Sequence, residues 1–271
     1  MSEPTNEISA PFRLSVIITT HNSKDWTERA VRSILSQTAP VGTEIVIVDD
    51  GSTDETLSHL KTQFFFEAKQ GRLKLSETDR CGDQGKLKNL GAARSTGSFL
   101  SFLASTDWWR PGRLEALEPA RHRHDLVFFT PQASMQSHDW IRALIADPWV
   151  LSSATVIRRS LFEEIGGFPE GYSGRILPRK IPGLEDYELW IRALATLVKE
   201  GKRERLLISK NEHVVSETHP KQLTPFHEQL KLIKQIISLF HVAPELPWKY
   251  WPEIARGVAE TGRNWVKKWR L

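Results

Sequence analysis

The stretch EIVIVDDGSTDETL, residues 44–57, decides the fold. Its first five residues are rich in Ile and Val, as suits a strand buried on both faces of a parallel sheet. They run without a break into Asp49, Asp50 and Gly51. A carboxylate pair at a strand end either caps a turn or meets a ligand, because open α/β sheets bind ligands at the carboxyl ends of their strands. Ser52 followed three residues later by Glu55 has the spacing of a capping box, and Leu57, Leu60 and Phe64 then recur at helical spacing.

The same unit precedes it. Residues 14–19 (LSVIIT) read as a buried parallel strand ending at Thr20, His21 and Asn22. Asn22 or Ser23 is placed to cap a helix carrying Trp26, Ala30, Val31, Ile34 and Leu35, which breaks at residues 38–42. Downstream, residues 72–76 read as a third strand, 84–94 as a helix and 99–103 as a fourth strand. Alternating strands and helices predict a mostly parallel, Rossmann-like sheet covered by helices on both faces. Its carboxyl edge would gather Thr19, Asn22, Asp49, Asp50 and Asp107.

The composition sets the class. With 271 residues, 39% hydrophobic and 26% charged, the chain has the material for a packed core and is not globally disordered. The net charge of +4 suits an anionic ligand without demanding nucleic acid, and no nucleic-acid module is legible. The lone cysteine, Cys81, excludes an internal disulfide, and no Cys/His pairs stand at zinc spacing. Residues 1–10 lack the apolar core of a secretory signal, and no run approaches the roughly 20 apolar residues of a membrane helix. A cytoplasmic protein is expected, with any membrane contact peripheral and at the inner face.

Six ordered motifs carry a family resemblance: VIITTHN (16–22), SILSQT (33–38), IVIVDDGSTDET (45–56), KNLGAARSTGSFLSFL (88–103), IGGFPE (165–170) and EDYELWIRA (185–193). Together they resemble the inverting, nucleotide-sugar-dependent glycosyltransferases of family 2, which have the GT-A fold. The resemblance implies a GT-A-like domain over residues 13–224, preceded by a flexible terminus (1–12) and followed by a helical, basic, Trp-rich extension (225–271). It further implies transfer of a sugar from a nucleotide donor to a hydroxyl of a glycan or lipid-linked acceptor in glycoconjugate synthesis.

Residue by residue, the resemblance places Thr19, Asn22, Asp49, Asp50, Lys88 and Thr106 around the nucleotide. A carboxylate accepting from a base imide or ribose hydroxyl contributes about 1.5 to 3 kcal/mol. The alternative is that Asp49 or Asp50 caps the helix after Ser52, a role that can coexist with nucleotide binding, and that Lys88, where the family usually has arginine, is a solvated helix residue. The largest departure lies in FLASTDWW, residues 102–109. Ala104 and Thr106 stand where members commonly carry carboxylates, leaving Asp107 alone to share Mn²⁺ or Mg²⁺ with the donor diphosphate, a weak hold on metal by itself. The alternative for Asp107 is a turn residue. His219 is a second candidate ligand or else a surface histidine.

The resemblance assigns the catalytic base to Asp186, with Glu185 orienting the site. Charged residues at 185, 186 and 188 would also favour a helix N-terminus through its dipole. Trp190 reads as core, and Gly166 with Gly167 as a tight turn facing the acceptor. Acceptor contacts are expected from Trp108, Trp109 and the basic loop 173–182 with Arg179, although Trp side chains are more often packed. The tail TGRNWVKKWRL suits either an anionic membrane surface or packing on the catalytic domain. Two other readings stay open. One is a degenerate, non-catalytic member that binds nucleotide or glycan; the other is a nucleotidyltransferase, which lacks its glycine-rich basic entry loop here.

Overall fold

A computed structural model describes residues 13–38, 42–117, 123–130, 152–170, 184–210 and 214–216. Chain order is β1 (Arg13–Thr20), α1 (Lys24–Leu35), β2 (Gly42–Asp50), α2 (Thr56–Gln63), α3 (Phe65–Lys69), β3 (Leu73–Thr78), α4 (Gln84–Arg94), β4 (Phe99–Ala104), β5 (Asp107–Trp109) and α5 (Arg113–Leu117). There follow β6 (Leu126–Thr130), β7 (Thr155–Arg158), α6 (Arg159–Glu164), α7 (Leu184–Lys199), β8 (Leu206–Lys210) and β9 (Val214–Ser216).

Among the described residues, seven strands form one sheet in the order β3-β2-β1-β4-β7-β6-β8. Of these described strands only β7 runs against the rest, pairing antiparallel with β4 and β6, and β5 with β9 makes a separate two-stranded ribbon. This is the mostly parallel, helix-flanked α/β sheet that the sequence pattern predicts. The strands are continuous apolar runs because both faces are covered. Val16, Ile18, Ile45 and Ile47 pack with Ala30, Val31, Ile34 and Leu60 on one side. On the other, Ile17, Leu100 and Phe102 pack with Phe162, Leu189 and Trp190, which confirms Trp190 as core.

Helix α4 approaches the sheet closely at Gly91, where a Cβ would come within 2.4 Å of Ile17 Cγ2. At the amino edge, Glu44 ties the entry to β4 to the sheet: it accepts from Ser15 Oγ at 2.6 Å, pairs with Lys74 at 2.8 Å and receives the Thr96 and Gly97 amides. Burial alone would raise the Glu44 carboxyl, but the bonds from Lys74, Ser15 and Thr96 outweigh it and hold its pKa at about 2.

The expected capping box is not formed. Helix α2 starts at Thr56, and the Ser52 hydroxyl is used elsewhere, donating to Asp49 Oδ1 at 2.5 Å and accepting the Asn22 amide at 2.9 Å. A turn tied to the preceding strand end outcompetes a cap. Residues 1–12 and 225–271, the expected flexible terminus and C-terminal extension, lie outside the described residues. Among the described residues, no helix is long and apolar enough to cross a membrane.

Candidate functional site

Parallel register brings the ends of β1, β2 and β3 to one edge, with Thr20 beside Asp49 and Asp50 beside Thr78. Asn22, in the left-handed region at φ 47°, follows β1. Its Oδ1 accepts the Thr53 amide at 2.8 Å, so the loop after β1 holds the loop after β2. Thr19 Oγ1 donates to Gln84 Oε1 at 2.8 Å and links β1 to the start of α4.

The aspartate pair divides its work. Asp49 receives the Ser52 amide at 2.9 Å as well as the Ser52 hydroxyl, closing the turn beyond the strand. Asp50 receives the Cys81 amide at 2.7 Å and the Gly82 amide at 3.0 Å, and pairs with Arg80. Burial pushes the Asp50 carboxyl up, but these amides and the Arg80 charge prevail and hold it below the usual carboxylate range. Both aspartates are 1% exposed. Asp49 thus closes the turn beyond its own strand, and Asp50 anchors the loop after β3, so each carboxylate has a structural role at this edge. Gly51, at φ 61°, has no room for a Cβ against the Arg80 backbone amide, so the turn requires glycine.

Lys88 is buried, which overturns the alternative of a solvated helix residue. It is 9% exposed, and its Nζ donates to Asp186 Oδ1 at 2.6 Å and lies 3.4 Å from Glu185 Oε1. A buried ammonium needs a counter-charge, and the first turn of α7 supplies two carboxylates. Burial lowers the Lys88 pKa, while the Asp186 and Glu185 charges raise it and prevail. Burial and the neighbouring Asp186 push the Glu185 carboxyl above its usual range against the pull of Lys88. Lys88 also lies 4.8 Å from the centre of the Phe168 ring, beyond the Gly166–Gly167 turn, both of whose glycines have positive φ.

Asp107 begins β5 and is 3% exposed; its Oδ2 accepts from Ser153 Oγ at 2.5 Å. Ala104 is exposed and Thr106 half-buried on either side of the connecting turn. Among the described residues, no three His, Cys, Asp or Glu side chains gather as a metal site. This donor set, one carboxylate with a neighbouring hydroxyl, fits a hard divalent cation only when phosphate oxygens complete the shell.

The tryptophans part ways. Trp109 is 2% exposed and packs in the core with Arg113 over its ring, so its assignment to the acceptor surface is corrected to packing. Trp108 is half-buried with the Arg29 guanidinium 3.3 Å from its ring centre. Arg179 and His219 lie outside the described residues. Sequence reasoning missed Arg80, Gln84 and Ser153. Arg80 was legible as the cation in the loop after β3; Gln84 and Ser153 carry no local signal.

A family model described as Glycosyl transferase family 2 matches residues 15–175. An uncharacterized glycosyltransferase of Nostoc sp. (strain PCC 7120) is 35% identical over 125 residues, 43% of this chain and 35% of that protein. The putative teichuronic acid biosynthesis glycosyltransferase TuaG of Bacillus subtilis is 32% identical over 102 residues, 38% of this chain and 39% of that one. The matched stretches thus span little more than a third of these relatives' length. Among solved structures, residues 1–349 of S. aureus TarS in complex with UDP align with a TM-score of 0.61 at 18% identity, covering 92% of this chain and 70% of that one. The mannosyltransferase PcManGT from Pyrobaculum calidifontis, in complex with GDP-Man and Mn²⁺, gives 0.57 at 14% identity, covering 95% and 88%. At such identities these likenesses establish the fold, that of GT-A glycosyltransferases, and the family model carries the membership: the chain belongs to glycosyl transferase family 2.

Proposed function

We propose that the protein transfers a sugar from a nucleoside-diphosphate sugar to a hydroxyl acceptor with inversion, in the synthesis of a cell-envelope or other glycoconjugate. The observation that carries this reading is the Asp186 carboxylate, held at the first turn of α7 by the buried Lys88. Lys88 bonds one of the two Asp186 oxygens, Oδ1, and a carboxylate carries acceptor lone pairs on both. Asp186 takes the proton of the acceptor hydroxyl as that oxygen bonds to the anomeric carbon and the carbon's bond to the diphosphate oxygen breaks. One displacement inverts the configuration. Glu185 shares the Lys88 charge and orients the pair.

The nucleoside end falls to the edge built by Thr19, Asn22, Asp49 and Asp50. Asp49, with two of its acceptor positions used by Ser52, retains lone pairs for a base imide or a ribose hydroxyl. Asp107 with Thr106 would hold Mn²⁺ or Mg²⁺ jointly with the donor, and the cation would supply charge to the leaving diphosphate. The Arg80 guanidinium, half exposed at the same edge, adds a protein cation. Acceptor contacts are assigned to Trp108 and to the loop bearing Arg179, and His219 remains a further candidate for the cation. TarS bound to UDP-GlcNAc, and glucosyl-3-phosphoglycerate synthase bound to Mn²⁺ and UDP, share the fold and support this class of donor. The acceptor class, glycan or lipid-linked, and a peripheral membrane contact through residues 225–271 belong to the same reading.

Calorimetric titration with UDP, GDP, dTDP and ADP, each with and without Mn²⁺, tests it. Binding of one nucleotide that Mn²⁺ strengthens in the intact protein and not in Asp107→Ala supports the reading. No binding under either condition refutes the donor site and favours a non-catalytic member of the family.

A further inference from the structure

Ser153 is a polar partner of Asp107, the carboxylate given the metal role above. It lies in the 3-10 turn Ser152–Ala154 that leads into β7, and it is buried. The antiparallel register of β4 and β7, with Ser101 beside Val156, carries this turn to the end of β4. There the Ser153 hydroxyl accepts the Ala104 amide at 3.1 Å and donates to Asp107 Oδ2 at 2.5 Å. The direction follows from chemistry. An amide only donates and a carboxylate only accepts, so the single hydroxyl hydrogen is committed to Asp107.

The turn is itself held from beneath. Arg113 is fully buried, donates from Nη2 to the Ser153 carbonyl at 3.3 Å and lies 4.9 Å and 4.4 Å from the centres of the Trp109 and Phe129 rings. Its guanidinium thus sits between aromatic faces, where a cation is favoured. Ser153 is thereby fixed at both its carbonyl and its hydroxyl. With Ala104 and Thr106 in place of carboxylates, no neighbouring acid at this turn shares a cation with Asp107. The Ser153 hydroxyl is then one of the contacts that set the rotamer of Asp107.

We propose that Ser153 is a positioning residue for donor binding, holding Asp107 in the orientation in which it shares a divalent cation with the donor diphosphate. This rests on the metal role given to Asp107 above. The test is titration of the intact chain with UDP, GDP, dTDP and ADP, with and without Mn²⁺ at about 10 mM, above the roughly 10⁻⁴–10⁻³ M range of weak divalent sites, for the wild type, Ser153→Ala and Ser153→Thr. Ser153→Ala is expected to weaken nucleotide binding about tenfold with Mn²⁺ and less than about twofold without it, the size of one charge-assisted hydrogen bond. Ser153→Thr, which keeps the hydroxyl, is expected to restore binding to within about threefold of the wild type. Equal weakening with and without Mn²⁺ would show a merely structural role and overturn the proposal, as would binding unchanged under both conditions. A wild type that binds nucleotide with no response to Mn²⁺ removes the metal role of Asp107 and this proposal with it. A wild type that binds no nucleotide removes the donor site altogether. Should Ser153→Ala fail to fold, Ser153→Cys, which keeps the volume and loses the strong donor, is measured in its place with the same expected result.

Discussion

Replacing Lys88 with methionine probes the cluster at the centre of the proposed mechanism. The wild-type ammonium is buried between Asp186 at 2.6 Å and Glu185 at 3.4 Å. Lys88→Met keeps the length of the side chain and removes the charge, leaving two adjacent carboxylates with no cation. Removing one partner of a buried ion pair costs about 3–5 kcal/mol. For a domain of this size each kcal/mol is about 2–4 °C in Tm, so the melting point should fall by about 6–20 °C at pH 7.5. The pH dependence makes the assignment specific. Glu185 already has its folded pKa raised by burial and by Asp186, so its contribution to stability is greatest in acid and is lost as pH rises through the folded value. Without Lys88 that value rises further, and the deficit of the variant should shrink as the pH is lowered towards 5. Glu185→Gln introduced beside Lys88→Met should recover part of the loss at pH 7.5. Thermal melts over pH 5–8 decide it. A deficit under about 1 kcal/mol at pH 7.5, or one independent of pH, would refute the buried-cluster account.

Three further outcomes are expected. Gly91→Ala should destabilise by about 1–2 kcal/mol in chemical denaturation, because the new methyl collides with Ile17 and the helix-propensity gain of about 1 kcal/mol only partly offsets the strain. Glu44 has its pKa held at about 2 against a usual 4.5, so it contributes stability above pH 4.5 that is lost as pH falls towards 2. Glu44→Gln should therefore cost roughly 3 kcal/mol near neutrality and converge with the wild type near pH 2, as acid titration followed by circular dichroism would show. Asp50→Ala should release the Cys81 and Gly82 amides and Arg80, lowering Tm and weakening nucleotide binding in the same titrations, whereas Asp49→Asn, which keeps an acceptor for Ser52, should be milder in Tm.

The fold was legible because the strands are continuous apolar runs and the helices between them are periodic; β1, β2, α4 and β4 fall within a residue or two of the expected spans. Trp190 was legible as core from its place on the apolar face of α7. The capping box was not. Ser52 and Glu55 have the right spacing, but Asp49 lies three residues before Ser52 and its carboxylate takes the hydroxyl first. Motif order singled out Lys88 and Asp186 separately, yet their pairing spans 98 residues and depends on how α4 packs against α7, which no local pattern encodes. Ser153 was invisible for the same reason: its partner lies 46 residues away across an antiparallel pair that reverses the sheet's direction. Trp109 followed the ordinary preference of a large aromatic for the core.

The most direct test of the central claim is nucleoside-diphosphate release from a panel of nucleotide sugars, in the presence of glycan and lipid-linked acceptors, by the wild type and Asp186→Asn. The account predicts release of a nucleoside diphosphate by the wild type and a loss of about 10²–10⁴-fold in Asp186→Asn, with nucleotide affinity retained. Turnover by Asp186→Asn at the wild-type rate, or release of pyrophosphate in place of the nucleoside diphosphate, would contradict it.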